Sequence, residues 1–392
     1  MATTDTELSA VMDAVRDIVP RLRDNGRETE DRRWIPDENV ELLDKAGVFR
    51  LAVPRRFGGL DVSLADQVAV LTEIGRGCPS TGWVSMVWVS SAWLATLYPD
   101  EAQSEVFASG SVKISGGFTP TGTVTATDGG YVLNGSWRFN SGCRGADWNI
   151  ASAIRELPDG TSDEVVAIVP MAEFTVVDDW YTSAAAGTGS CTSTAKGVFV
   201  PAHRVVSYED AVLNTTAGRT APETPGRRYG LFTYVTAAAV ATCIGIAKGA
   251  LELFLQRVKG RGITYTSWTD QSQHPLTQIQ VATAANKISA AEGLQAGWLR
   301  QLQTRADAGE QPTDEEKATV RGQSAYAIQL AKEAVEILYS ASGATAIQRD
   351  VPIQRFHRDI QGLSLHGLLL LSTNLEVHGR VLLGLDPDTP LL

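Results

Sequence analysis

His366 sits in Leu365-His366-Gly367, with Leu363 three residues before it and Leu370 four residues after. Read as helix, that spacing turns the imidazole onto an apolar face and into the interior. An imidazole there can take or give a proton near neutral pH. The same spacing also suits a core histidine with a satisfied hydrogen bond. The remaining histidines offer less chemistry. His357 precedes Arg358 and reads as structural, while His203, His274 and His378 read as loop or surface residues. None has an Asp, Glu or Cys partner at ligand spacing, so no metal site is expected. Nine tryptophans are present, and Trp88 and Trp93 share an expected helix over 83–98 with Met86 and Val87. Val87, Trp88 and Trp93 could wall a pocket for a flat molecule, or simply pack the core. Trp180 carries a weaker form of the same reading. No GxGxxG follows a β-run, so no recognisable domain for NAD(P)H is present.

These residues need elements to position them, and the chain shows three zones. Residues 1–110 have helical periodicity. Thr4 with Glu7 reads as a capping box, Leu8, Val11, Met12, Val15 and Ile18 share one face, and Gly47 ends a helix over 37–46. Helical patterning returns over 64–76 and 83–98. Residues 111–215 carry short β-prone runs separated by Asp128-Gly129, Asn134-Gly135 and Asp159-Gly160, which predicts a compact antiparallel sheet or barrel. Residues 225–392 predict a four-helix bundle, with helices over 234–258, 276–307, 313–342 and 358–383. Thr313 and Glu316 cap the third, and polar residues and glycines over 210–228 form the linker.

Composition sets bounds on partners. With 392 residues, 43% of them hydrophobic, a large core and two or three domains are expected. A net charge of -11 disfavours nucleic acid and anionic membrane as partners. The N-terminus lacks the pattern of a secretory signal, and no run of about 18 apolar residues is present. Cys78, Cys143, Cys191 and Cys243 lie far apart, giving no disulfide framework, and a reducing cytoplasm fits.

The order helices, β domain, helical bundle resembles the acyl-CoA dehydrogenase superfamily, and four stretches carry the likeness over nearly the whole chain. Val53-Pro54-Arg55-Arg56-Phe57-Gly58-Gly59 resembles the connector after the second helix. Phe118-Thr119-Pro120-Thr121-Gly122 and Gly135-Ser136-Trp137-Arg138-Phe139-Asn140-Ser141-Gly142 resemble the two strands that meet the flavin. The stretch 343–359 resembles the loop and helix start that end in an Arg-Asp pair, here Arg358-Asp359. In most of that family's dehydrogenases a glutamate base follows the pair by about eight residues. Here Gly367 stands at that position, beside His366, and glycine has no base to offer.

An Arg-Asp pair followed by a histidine without the glutamate resembles the branch of flavin-dependent two-component monooxygenases. Ser190 in Gly187-Thr188-Gly189-Ser190 and the run Gly142-Cys143-Arg144-Gly145-Ala146-Asp147-Trp148 point the same way. That resemblance implies a mainly α, acyl-CoA dehydrogenase-like fold, reduced flavin (FADH2 or FMNH2) supplied by a separate reductase, and O2 as co-substrate. It implies a flavin C4a-hydroperoxide that hydroxylates an aromatic or indole-like metabolite, with Ser141 at flavin N5 and His366 as acid or base. The cofactor would meet Phe118, Thr119, Phe139, Ser141 and Gly142; Arg261 and Gln278 resemble the family's Arg and Gln that reach a cofactor across a subunit interface, and Ser342-Gly343 its glycine loop near the same phosphates. A homotetramer or homodimer is expected. N-oxygenation of an amine or amino sugar, acyl-CoA oxidation and a non-catalytic flavin-binding role stay open. Acyl-CoA oxidation would need another carboxylate, and Asp350, Asp359 and Glu376 are nearest in sequence.

Overall fold

The computed structural model describes residues 2–219, 228–389 and 391–392. The first helices are α1 (Ala2–Asp24), α2 (Gly26–Arg32), α3 (Asp37–Lys45), α4 (Leu64–Gly77), α5 (Pro79–Ala95) and α6 (Asp100–Val106). Helix α1 starts ahead of Thr4 rather than at it. Gly47, with φ of 83°, follows α3 as expected. Ser63 caps α4 by accepting from the Asp66 N–H, and Pro79 opens α5 at its first turn.

A seven-stranded sheet follows: β1 (Ile114–Thr127), β2 (Gly130–Trp137), β3 (Trp148–Glu156), β4 (Ser162–Pro170), β5 (Thr175–Val177), β6 (Thr192–Pro201) and β7 (Val205–Ser207). Its order is β5-β6-β2-β1-β3-β4-β7. Asp128-Gly129 makes the β1–β2 turn, and Asp159-Gly160 lies between β3 and β4. Two expectations need correction. The sheet is mixed, because β1 runs parallel to β3. Asn134-Gly135 is no turn; it lies inside β2 at a register shift against β6, where Asn134 accepts from the Gly197 N–H.

The chain then forms α7 (Tyr208–Leu213), α8 (Leu231–Arg257), α9 (Pro275–Asp307), α10 (Asp314–Ala341), α11 (Ile353–Leu363) and α12 (Leu371–Leu382). Helix α7 occupies part of the expected linker, whose residues 220–227 lie outside the described residues. The Thr313–Glu316 capping box is formed. By length and composition α8 alone among the described helices could cross a membrane, but 72% of its apolar window is buried within the fold. It crosses α4 with the backbones in contact. A Cβ on Gly245 would come 2.2 Å from the Thr72 carbonyl oxygen, and one on Gly75 would come 2.8 Å from that of Thr242.

The expected fourth bundle helix is broken. It stops after Leu363 and resumes at Leu371. The buried Asn374 amide donates to the Leu368 and Leu370 carbonyls and so satisfies the break, while Arg321 donates to its Oδ1.

Candidate functional site

A cavity of about 630 Å³ opens between α5, β1, the start of α8 and the break after α11. That is the size of an ordinary small-molecule or cofactor site. Helix α5 lends it one face, Trp83, Met86, Val87 and Ser90, spaced as neighbours on a helical stripe. Trp88 and Trp93 lie on other faces and are core residues rather than cavity walls. Trp88 is fully buried, sits edge-on to Phe49, and donates to the Gly142 carbonyl at 3.2 Å. Trp93 stacks on Tyr234 with centroids 4.1 Å apart. Sequence reasoning missed Trp83, which tertiary packing alone places on the cavity side of α5.

The sheet supplies the opposite wall. Phe118 and Thr119 lie where β1 shifts register between Gly117 and Gly122, so the strand leaves its ladder at the cavity. Phe139 follows β2 with φ of 59°, a conformation seldom taken by an aromatic residue, and its ring is 66% exposed. The ring meets Trp180 edge-on at 5.6 Å. An uncovered phenyl beside an apolar cavity favours a flat apolar cover.

Ser141 brings the polar group. It is 9% exposed and borders the cavity, and its Oγ lies 2.7 Å from Ser190 Oγ and 3.1 Å from Trp83 Nε1. Gly142 follows in left-handed conformation (φ 77°), and a Cβ there would fall 2.6 Å from Trp88 Nε1. Trp88 therefore acts under the Ser141 turn, not on the cavity.

His366 corrects a second expectation. It is not on a helix face but in the α11–α12 break, where its Nδ1 accepts from the Leu368 N–H at 3.3 Å. The ring borders the cavity, 5.8 Å from the Trp83 ring. It is accessible from the cavity yet walled by protein, and poor solvation of the cation lowers its pKa from 6.5. At pH 7 the ring is neutral. With Nδ1 accepting, the hydrogen sits on Nε2.

Gly367 borders the same space, and a Cβ added there meets nothing within 4 Å. The position has room for a side chain and lacks one. No Asp or Glu is among the described residues that line the cavity. Asp359 is 2% exposed and faces the other way, accepting from the Ala185 N–H at 2.7 Å. Burial pushes its carboxyl up to about 6.

The residues expected at the cofactor phosphates gather elsewhere. Arg261 Nη2 donates to Thr345 Oγ1 at 2.7 Å, and Arg257, which sequence reasoning passed over, bonds the same hydroxyl. Both line a separate open cleft with Thr345 and Pro352. A Cβ on Gly343 would come 3.6 Å from Arg261. Ser342 turns inward and caps the Leu338 carbonyl. Gln278 lies in the first turn of α9 and donates to the Ser272 carbonyl. Ala239, on the cavity wall, and Arg257 are roughly 27 Å apart along α8. Arg261, Gln278 and Gly343 are thus not brought to Phe139 and Ser141 within one chain.

The cavity residues fit a flavin ring. The exposed Phe139 offers a face, the walls are mostly apolar with Arg138 and Arg321 among them, and Ser141 offers a hydroxyl at the edge.

Comparisons with known proteins agree. The acyl-CoA dehydrogenase N-terminal domain matches residues 5–110, and the acyl-CoA dehydrogenase C-terminal domain matches residues 236–369. The oxygenase subunit HsaA of a flavin-dependent monooxygenase from Mycobacterium tuberculosis (strain ATCC 25618 / H37Rv) is 31% identical over 98% of each chain. The oxygenase component of an FADH(2)-dependent resorcinol hydroxylase from Rhizobium sp. is 30% identical over 95% of this chain and 94% of its own. Among solved structures, XiaF from Streptomyces sp., in complex with FADH2 and glycerol, superposes with a TM-score of 0.94 at 29% identity, covering 100% of this chain and 99% of its own. The chain belongs to the acyl-CoA dehydrogenase family, in its branch of flavin-dependent monooxygenase oxygenase components.

Proposed function

We propose that this protein hydroxylates an aromatic or indole-like metabolite with O2 and a reduced flavin, FADH2 or FMNH2, delivered by a separate reductase. The observation that carries the reading is a mostly apolar cavity of about 630 Å³ with Ser141 at its edge and no carboxylate on the described wall. Dehydrogenation of an acyl thioester needs a base at the α-carbon, and Gly367 offers none. Bound reduced flavin supplies O2 activation and transfer to an electron-rich ring. Phe118 and Phe139 would cover the flavin ring, and Ser141 would hold the hydrogen at its N5 edge. The apolar walls exclude water. The Nε2–H of His366 orients a substrate hydroxyl or amine. Val87, on the cavity stripe, and Trp83 border the substrate.

Relatives named as oxygenase components support the separate reductase, as does the lack of a GxGxxG strand motif. The distance between the two clefts supports a homotetramer or homodimer, in which Arg261, Gln278 and Gly343 of one copy meet the cofactor of another. Four free, buried cysteines suit a reducing cytoplasm.

The test mixes purified protein with chemically reduced FAD or FMN, O2 and a panel of phenols, indoles and amines, and measures product and hydrogen peroxide. Hydroxylated phenol or indole is expected. Ser141→Ala should lower product about tenfold and raise peroxide to match, the effect of one lost buried hydrogen bond. Peroxide alone from the native protein across the panel would overturn the reading, and products only from amines would replace it with N-oxygenation.

A further inference from the structure

The hydroxyls behind Ser141 form a chain whose donor directions are fixed. Thr188 Oγ1 lies 2.8 Å from the Ala185 carbonyl oxygen, which can only accept. The Ala185 oxygen also accepts from the Thr188 and Trp180 N–H groups at 3.1 Å, and the 2.8 Å bond from the Thr188 hydroxyl is the shortest of the three; it uses the one Thr188 hydroxyl hydrogen. Thr188 therefore accepts across its 2.7 Å contact with Ser190 Oγ. The single Ser190 hydrogen is then committed to Thr188, so Ser190 accepts from Ser141 across 2.7 Å. Trp83 Nε1 can only donate, and it donates to Ser141 Oγ. Ser141 has thus spent its hydrogen on Ser190 and one lone pair on Trp83. One lone pair remains.

Of the three hydroxyl residues only Ser141 borders the cavity, so the cavity is where a donor can meet that lone pair. Thr188 and Ser190 are 0% and 4% exposed, and neither borders the cavity, whereas Ser141 does. The Ala185 carbonyl that sets the direction is itself held. Ala185 has a φ of 53°, and its N–H donates to the buried Asp359 carboxylate at 2.7 Å. The source of the polarity is rigid backbone, not a rotatable hydroxyl.

We infer that the Ala185–Thr188–Ser190 chain makes Ser141 an acceptor only toward the cavity, so that the site selects reduced over oxidised flavin. Reduced flavin carries a hydrogen on N5, which meets the free lone pair. Oxidised flavin has a lone pair on N5, which would face another lone pair in a dry site. Thr188 and Ser190 are positioning residues: they touch no cofactor and act through Ser141. The inference rests on the flavin reading above and adds to it a reason for binding one redox state. Such selectivity would let the product of flavin turnover leave and the next reduced flavin enter without a dedicated release step.

The test compares affinities rather than activity. Reduced FAD (anaerobic, dithionite-reduced) and oxidised FAD are each titrated into the full-length protein, and the ratio of their dissociation constants is read, with FMN as a parallel pair. The native protein should favour reduced flavin by about tenfold or more, the worth of one satisfied against one unsatisfied hydrogen bond. Thr188→Val removes the link to Ala185 at nearly constant volume. The Ser190 hydrogen is then free to turn to Ser141, whose own hydrogen turns to the cavity, and the ratio should fall about tenfold through weaker reduced and tighter oxidised binding. Ser190→Ala should do the same by removing the Ser141 acceptor, and it stands as a second test if Thr188→Val does not fold. Thr188→Ser keeps the hydroxyl and should restore the native ratio. A ratio unchanged in the folded variants would overturn the relay and leave the flavin reading intact. Failure of the native protein to bind either redox state would instead overturn the flavin reading itself.

Discussion

At the scale of single residues, the site joins an acceptor, Ser141, to a neutral donor, His366, with Trp83 between them. His366→Ala should lower hydroxylation about a hundredfold, the low end for a lost acid–base group, while reduced-flavin affinity stays within about twofold. A measured loss of flavin binding instead would place His366 on the cofactor rather than the substrate. Because burial lowers the His366 pKa from 6.5, the ring is neutral at pH 7 and above. Its protonation belongs below pH 6.5, so an acid limb in the rate profile should lie there and vanish in His366→Asn. The residue types and their order were legible in sequence, because Phe139, Ser141 and Gly367 each sit in a local motif. The setting of His366 was not. Leu363 and Leu370 suggested continuous helix, whereas the helix ends at Leu363 and Asn374, from the following helix, satisfies the Leu368 and Leu370 carbonyls of the break. That partner is a tertiary fact, and no local spacing announces it.

At the scale of elements, the cavity depends on α5 and α8 being held against one another through α4. Gly75 and Gly245 let α4 and α8 touch at the backbone, and Gly82 of α5 packs there too, since its Cβ would come 2.7 Å from Gly75 Cα. Gly245→Ala should cost about 1–3 kcal/mol, the range for overpacking a tight core, seen as a lowered melting temperature. An unchanged melting temperature would show that the crossing is looser than described. Helices α3, α4, α5, α8, α9 and α10 were legible from period and caps, whereas α2, α6, α7 and the α11–α12 break were not. The face that α5 turns to the cavity was not, because α5 is apolar nearly all round: sixteen of its residues are buried, so no polar stripe distinguishes Trp83 from Trp88. In the sheet, Asn134-Gly135 has the composition of a turn but lies within β2, where β6 pairing overrides local preference.

At the scale of the whole molecule, charged residues of α2 and α11, part of them buried, join the helices to the loop between β5 and β6. Glu30 of α2 pairs with Arg358 of α11 at 2.6 Å and faces Arg355 at 3.8 Å, and Asp359 of α11 holds Ala185 of the loop behind Ser141. The folded Asp359 carboxyl titrates near 6 against an ordinary 3.8, so its protonated form favours the fold. That contribution is full below pH 3.8 and is lost as pH rises through 6, by roughly 3 kcal/mol at most. Asp359→Asn should remove this decline, so native and variant melting temperatures should diverge between pH 4 and pH 7 in the variant's favour. Parallel curves would mean that Arg355 and Arg358 keep the carboxyl ionised.

Oxygen transfer, on a fold shared with the acyl-CoA dehydrogenases, leaves an isotopic mark. The most direct measurement supplies chemically reduced flavin and ¹⁸O₂ to the protein with a phenol or indole substrate, in a single turnover, and weighs the product. One ¹⁸O atom per product molecule is expected. Product without label, or flavin reduced anaerobically by an acyl-CoA, would contradict it.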